Sequence, residues 1–423
     1  MARLRGHAHL LYDIASVYGV QFANYVLPLV TVPYLSRVLG PTSWGLFAMA
    51  QAFTMYGGLV VEYGFIFYGT RQIATADGDE EIAGIVAGIS GAKVLLSFVV
   101  VIGAAFSYLY VPLFHQHPLL LWTAVLAEIA KASLPSYFFY GIKRVALASL
   151  LDISARLAAA AGIFLLVRTP QDVWRVFALQ AGGAGAAFVV GHWMIYSRYA
   201  LRWPRLSEAW RMLREGGNMF LFRSAHSIYV LGNAFVLGLF ASPQAVGYYA
   251  GAEKINSAAV GLLSPLSTAL YPRAAGLAKT SMSRAARLTT ISLYVMGAVS
   301  VVLAGIMWLG SPLIVRIILG PQFAASAGVL KILSLRAPMV AWTNVLGFQW
   351  LLALGLEKSF QKITIVALIL NLLLAVCIAP RYTFNGMAWA VVISQTVAAA
   401  GIYIVLRRRK LSPFTVSSDP SYA

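Results

Sequence analysis

The stretch Ile85–Tyr108, IVAGISGAKVLLSFVVVIGAAFSY, runs for 24 residues with one charged side chain, Lys93. About 20 predominantly apolar residues are enough for a helix to cross the hydrocarbon of a bilayer, so this segment reads as a membrane span. Eleven more stretches of the same kind surround it, at 12–34, 44–66, 119–140, 146–167, 173–196, 218–240, 251–272, 288–309, 327–354, 361–379 and 384–406. Short polar joints separate them and leave no room for a sizeable soluble domain. The sequence predicts an all-α integral membrane protein with twelve transmembrane helices.

Composition agrees with that reading. Of the 423 residues, 60% are hydrophobic and 11% charged, whereas about a quarter are charged in ordinary globular domains. A net charge of +18 would suggest nucleic-acid binding in a soluble protein. Here the cations fall mostly in the joints, which is how a multi-pass chain encodes orientation, so nucleic acid is not an expected partner. Alternate joints hold 20 Lys and Arg against 5 in the others, an asymmetry that predicts both termini on the cytoplasmic side. Arg3 and Arg5 precede an apolar run without a small-residue cleavage site, so that run reads as a retained first span. The single cysteine, Cys377, rules out a disulfide framework and is expected as a small core residue.

The longest cytoplasmic joint divides the spans six and six. This gives an N-terminal lobe at 1–197, an amphipathic linker at 198–217, a C-terminal lobe at 218–410 and a tail at 411–423. Within the linker Leu206, Trp210 and Leu213 recur at helical spacing among Arg202, Arg205, Arg211 and Arg214. That is the makeup of a helix lying on an anionic leaflet, or of a solvated loop obeying the charge rule. A repeat supports the division. Pro41-Thr-Ser-Trp-Gly45-Leu-Phe-Ala48-Met-Ala50 is echoed by Pro243-Gln-Ala-Val-Gly247-Tyr-Tyr-Ala250-Gly-Ala252, each after the first span of its half. Parallel repeats of this kind place a substrate between the lobes.

Ionisable groups in hydrocarbon are costly and usually face a cavity or a partner. Those within or near the spans are mostly basic: Lys93, Lys131, Arg156, Arg223, Lys254, Lys331 and Arg336, against Glu62, Glu128, Asp152 and Glu253. Glu128 with Lys131 and Asp152 with Arg156 have the spacing of local helix pairs. Lys93, Arg223 and Arg336 have no acid one turn away and need a partner elsewhere, a snorkelling route or an anionic ligand. Polar stripes mark three spans: Asp13, Gln21, Asn24, Pro28 and Thr31; Arg223, His226, Ser227 and Asn233; Glu253, Ser257, Ser264 and Thr268. Such stripes serve as interhelical glue or line a wet cavity. Pro28, Pro135, Pro265 and Pro338 are candidate hinges, and Pro28 with Pro33 predicts a bent first span. Gly84 with Gly88, and Gly182, Gly183 and Gly185, are expected to allow close packing.

Enzyme chemistry is poorly represented. His115 and His117 lack a third ligand for zinc, and no nucleophile elbow or phosphate-cradling glycine loop occurs. No metal or other cofactor is expected.

The segment Leu27-Pro28-Leu-Val-Thr31-Val-Pro33-Tyr34-Leu-Ser-Arg37-Val-Leu-Gly40-Pro41, followed by Glu62-Tyr-Gly64-Phe and Thr70-Arg71-Gln-Ile-Ala, resembles the opening of Wzx-type O-antigen and polysaccharide flippases. Further matches are Tyr140-Gly141, Val246-Gly247-Tyr248-Tyr249, Glu253-Lys254, Leu263-Ser-Pro265, Tyr271-Pro272-Arg273 and Leu319-Gly320-Pro321. The family belongs to the multidrug, oligosaccharidyl-lipid and polysaccharide exporter superfamily. The resemblance implies two six-helix lobes around a central cavity in the bacterial inner membrane. It also implies outward passage of an oligosaccharide repeat unit carried on undecaprenyl pyrophosphate, for O-antigen, capsule or exopolysaccharide. Membrane lipids, a polysaccharide polymerase and a chain-length regulator are the partners it suggests.

A cationic cavity suits such a cargo, because moving about two bare phosphate charges into hydrocarbon would cost tens of kcal/mol. An inside-negative potential would add about 2.3 kcal/mol per charge per 100 mV in the outward direction. Lys93, Lys131, Arg156, Arg223, Lys254 and Arg336, with Asn24 and Asn233, are the expected substrate contacts. Glu62, Glu128, Asp152 and Glu253 are the groups able to carry H+ or Na+ coupling. An antiporter of organic cations would be expected to hold a net acidic cavity instead, and a polysaccharide polymerase a large outer loop. Both remain alternatives.

Overall fold

The computed structural model describes the backbone of residues 2–416, and the side chains of that range except 2–26, 218–219, 221–231, 264–265, 268–269 and 416. All regular structure among the described residues is helical. Among the described residues, eight helices are long and apolar enough to cross a membrane. Their outward faces stay apolar, with Phe98, Val301 and Leu309 exposed, as expected where the surrounding solvent is hydrocarbon.

Contacts divide the chain into two compact units, Met1–Leu231 and Gly232–Ala423. The first contains α1 (Ala2–Glu62), α2 (Phe65–Thr75), α3 (Asp79–Tyr110), α4 (Pro118–Ala132), α5 (Ser136–Gly141), α6 (Val145–Leu166), α7 (Val173–Tyr196) and α8 (Leu206–Leu231). The long α1 carries the first two expected spans through one non-helical residue, Gly40, at φ 67° and ψ 173°. Pro28 and Pro33 lie inside α1 with helical backbone angles, so the departure from helix falls at Gly40, between the two spans. The fourth span does break: α4 ends at Ala132 and α5 begins at Ser136, with Pro135 between them. Pro135 has no N–H to offer the preceding turn, and Gly191 of α7 leaves room for its ring.

Hydrocarbon gives little incentive to bury one apolar side chain against another, so close approach at small residues holds spans together. Gly183 of α7 lies against the backbone carbonyl of Ala155 on α6, where a Cβ would collide. Gly182 and Gly185 face open space, so of the three clustered glycines only Gly183 serves packing. On α3, Gly84, Gly88 and Gly91 receive Arg202, Met212 and Pro204, so segment 198–217 packs against α3 as part of the first unit. From there α8 continues unbroken to Leu231.

The second unit contains α9 (Pro243–Gly261), α10 (Ser264–Thr280), α11 (Met282–Ile318), α12 (Ser326–Ser334), α13 (Arg336–Trp342), a π-helix (Thr343–Leu351) and α14 (Glu357–Arg408). Its tenth span is interrupted at one residue, Leu335, which keeps helical angles (φ −61°, ψ −19°), a milder departure than that of the fourth span, and Pro338 lies just inside α13. The last two spans form one hairpin in α14. Thr383 is its non-helical residue, at φ 47°, and Asn371 bonds Ser394 across the two arms at 3.3 Å. Cys377 is exposed on α14 instead of packed inside; in a run apolar on every side, composition does not distinguish the lipid face. The repeated motifs behave alike. Pro41 follows Gly40, Pro243 follows the Ser242 cap, and Trp44 to Ala50 and Val246, Gly247, Tyr249 and Ala250 are buried within their own units.

Candidate substrate site

Lys93 is buried, with 6% of its surface exposed. It leaves α3 toward the break in the fourth span. Its Nζ donates to the carbonyl of Ala132 at 2.7 Å and to that of Leu134 at 3.2 Å, and lies 5.3 Å from the Tyr137 ring centroid. These carbonyls lost their helical partners when Pro135 interrupted the ladder, and an ammonium is a strong donor for them. Lys93 closes the break, the partner that its lack of a neighbouring acid had required. Beside it is a recess of about 380 Å³ among α3, α4, α5 and α7, into which Ser97, Tyr137 and His192 also face.

Glu62 ends α1 at the other break of the first unit, where Tyr63 and Gly64 take φ of 49° and 79°. Its carboxylate accepts the Gly64 N–H at 3.1 Å and the Ile66 N–H at 2.9 Å, capping α2. Glu62→Ala is expected to cost about 1–2 kcal/mol through the orphaned amides, while Glu62→Gln keeps one acceptor. Thermal melts of the purified variants check this, and equal loss from both would argue that charge and not capping matters.

The two pairs expected from spacing are present. Lys131 sits 3.3 Å from Glu128 and Arg156 sits 3.0 Å from Asp152. Glu128 also packs so closely against Gly58 of α1 that a Cβ there would lie 2.7 Å from its Oε2. In the second unit, Glu253 accepts from Ser257 at 2.7 Å, and Lys254 and Lys331 are half-buried. Arg336 begins α13 with its Nε buried and without a hydrogen-bond partner among the described residues. Asn233 is half-buried at the start of a short helix, Asn233–Gly238. Asn24, Arg223, Pro265, His226, Ser264 and Thr268 fall outside the described side chains.

Two polar residues escape a search for charge alone. His192 on α7 faces the Lys93 recess, with Nδ1 3.0 Å from the Phe188 carbonyl. A histidine inside an apolar run was the available signal. Asn256 on α9 donates to the Leu333 carbonyl at 2.9 Å, beside the interruption of the tenth span at Leu335. No group of three or more metal-ligating side chains occurs among the described residues.

Long apolar helices, one of them broken in mid-span and closed by a buried lysine, mark a multi-pass membrane protein. The superposable structures are of the transporter type. The lipid II flippase MurJ in an inward closed conformation gives a TM-score of 0.72 at 14% identity, covering 96% of this chain and 90% of that one. An inward-facing multidrug resistance MATE transporter of the MOP superfamily gives 0.72 at 13%, covering 96% and 100%. Residues 10–278 match the family described as Polysaccharide biosynthesis protein. The chain belongs to that family. It is 30% identical over 398 residues, 93% of its length and 95% of the relative's, to a "Putative O-antigen transporter" of Escherichia coli (strain K12). A protein of the same description from Shigella dysenteriae is 27% identical over 387 residues, 90% of this chain and 95% of that one.

Proposed function

We propose that the chain is a flippase, a transporter and not an enzyme, which moves undecaprenyl-pyrophosphate-linked oligosaccharide repeat units from the cytoplasmic to the outer leaflet of the bacterial inner membrane. The observation that carries this reading is the match to an O-antigen transporter over nine-tenths of both chains. The MurJ-like fold is consistent with it. Passage is by alternating access through a cationic cavity, with both termini cytoplasmic and H+ or Na+ as the available coupling ions. A deletion strain should accumulate lipid-linked repeat units and lose surface polysaccharide, and the intact chain should restore both. Unchanged lipid intermediates together with hypersensitivity to organic cations would sink the flippase reading in favour of the multidrug alternative.

The candidate cations differ in how far they are already committed. Lys93 serves carbonyls and Lys131 and Arg156 serve carboxylates, whereas the buried Nε of Arg336 has no partner among the described residues. Arg336 is therefore a preferred contact for pyrophosphate or acidic sugar, and Arg223, which has no acid one turn away in the sequence, is the other. Arg223→Ala and Arg336→Gln are each expected to lower polymer export at least tenfold at normal membrane abundance, the loss of one charge-assisted contact of about 1.5–3 kcal/mol, and Arg→Lys at either site to retain part of it. Export at the wild-type level by an alanine or glutamine variant removes that residue from the mechanism.

A further inference from the structure

Between the end of α7 and the third turn of α8, the chain is held down on one side and open on the other. The held side fits the glycine stripe of α3, with Pro204, Ala209 and Met212 set against Gly88 and Gly91. Both acids of this segment are engaged internally: Glu208 accepts from Arg202 at 3.0 Å, and Glu215 accepts from the Tyr68 hydroxyl. The open side carries Leu201, Trp203, Leu206 and Trp210, exposed by 64%, 83%, 70% and 66%. Arg205, Arg211 and Arg214 are exposed with them. Trp210 and Arg214 lie one turn apart and about 40° apart around the helix, so indole and guanidinium share one outward strip.

A strip of large apolar side chains flanked by arginine matches the boundary between acyl chains and headgroups, where tryptophan concentrates and an anionic surface attracts cations. A purely solvated segment would have no use for two exposed indoles. The strip is also continuous with the helix that carries the expected seventh span's first residues, since α8 runs without interruption to Leu231.

We infer that this strip is a binding site for anionic phospholipid of the adjoining leaflet, with Trp203 and Trp210 among the upper acyl carbons and Arg205, Arg211 and Arg214 on the phosphates. The bound lipid then fixes the first turns of α8, and through the unbroken helix the position of the segment that bears Arg223. This depends on membrane insertion and not on which cargo is carried.

The test uses the full chain in nanodiscs of equal phosphatidylglycerol and phosphatidylcholine, with retained lipid measured by native mass spectrometry. Wild type should be enriched in phosphatidylglycerol. The R205Q/R211Q/R214Q variant should lose roughly fivefold or more of that enrichment, since each arginine near an anionic surface contributes about fivefold in partition. The corresponding triple lysine variant should keep most of it, and enrichment unchanged in the glutamine variant overturns the proposal. Fluorescence provides the second arm, by difference between wild type and W203F/W210F. These indoles should be quenched by brominated acyl chains. Quenching by aqueous iodide alone would assign the strip to water or a soluble partner and equally overturn the proposal.

Discussion

Lys93→Met should yield a protein that inserts but melts several degrees lower, with export reduced in proportion to the folded fraction. Methionine fills most of the volume of the lysine stem, so the loss isolates the ammonium. Removing it strips donors from the carbonyls of Ala132 and Leu134, at 2.7 and 3.2 Å from Nζ. No water stands ready in hydrocarbon to replace them. Each orphaned acceptor costs about 1–3 kcal/mol, giving roughly 2–6 kcal/mol in all. Lys93→Gln retains one N–H donor group within a shorter reach and should recover part of the difference. The decisive comparison is the melting curve against transport. A methionine variant that melts like wild type yet fails to export would identify Lys93 as a cargo contact instead of the closure of a broken helix.

Gly183→Ala should be comparably damaging, whereas Gly182→Ala and Gly185→Ala should be harmless. At Gly183 an added methyl group meets the carbonyl of Ala155, which is backbone and has no rotamer to escape into. The helices α6 and α7 would have to separate along their contact, at about 1–3 kcal/mol or more. At the two neighbouring glycines nothing lies within 4 Å of a new Cβ, and alanine gains up to about 1 kcal/mol in helix propensity. Detergent-resistant folded fraction, followed by size-exclusion chromatography after heating, ranks the three. Equal behaviour of all three alanines would contradict the packing account.

These two sites illustrate what the sequence discloses and where it stops. Ile85–Tyr108 is legible as a span because length and composition suffice, and it lies within α3 as observed. Pro135 marks a break for a reason local to its own ring. The local ion pairs Glu128–Lys131 and Asp152–Arg156 follow from a turn of helix. The partner of Lys93 does not follow, because it is main chain some 40 residues away and every residue has a carbonyl. Likewise Gly182 and Gly183 are equal in composition and differ only in helical phase toward α6. The exposure of Cys377 is illegible for the same reason: a helix without a polar face carries no mark of which side meets lipid. The spacing of Gly84 and Gly88 on α3 marks a packing surface, yet the segment it receives comes from beyond α7, a long-range choice that no window of α3 encodes.

The hairpin in α14 has a practical consequence for anyone mapping sidedness by inserted epitopes. Its arms are bonded at Asn371 and Ser394, and the chain turns back near Thr383 without any length of unstructured backbone. A foreign tag placed there has no slack to occupy and must splay both arms. The stretch around Ala76–Gly78, outside regular helix, can take the same insertion by lengthening. Reporter positions that fail should therefore cluster at the tight turn, and their failure would record geometry and not topology.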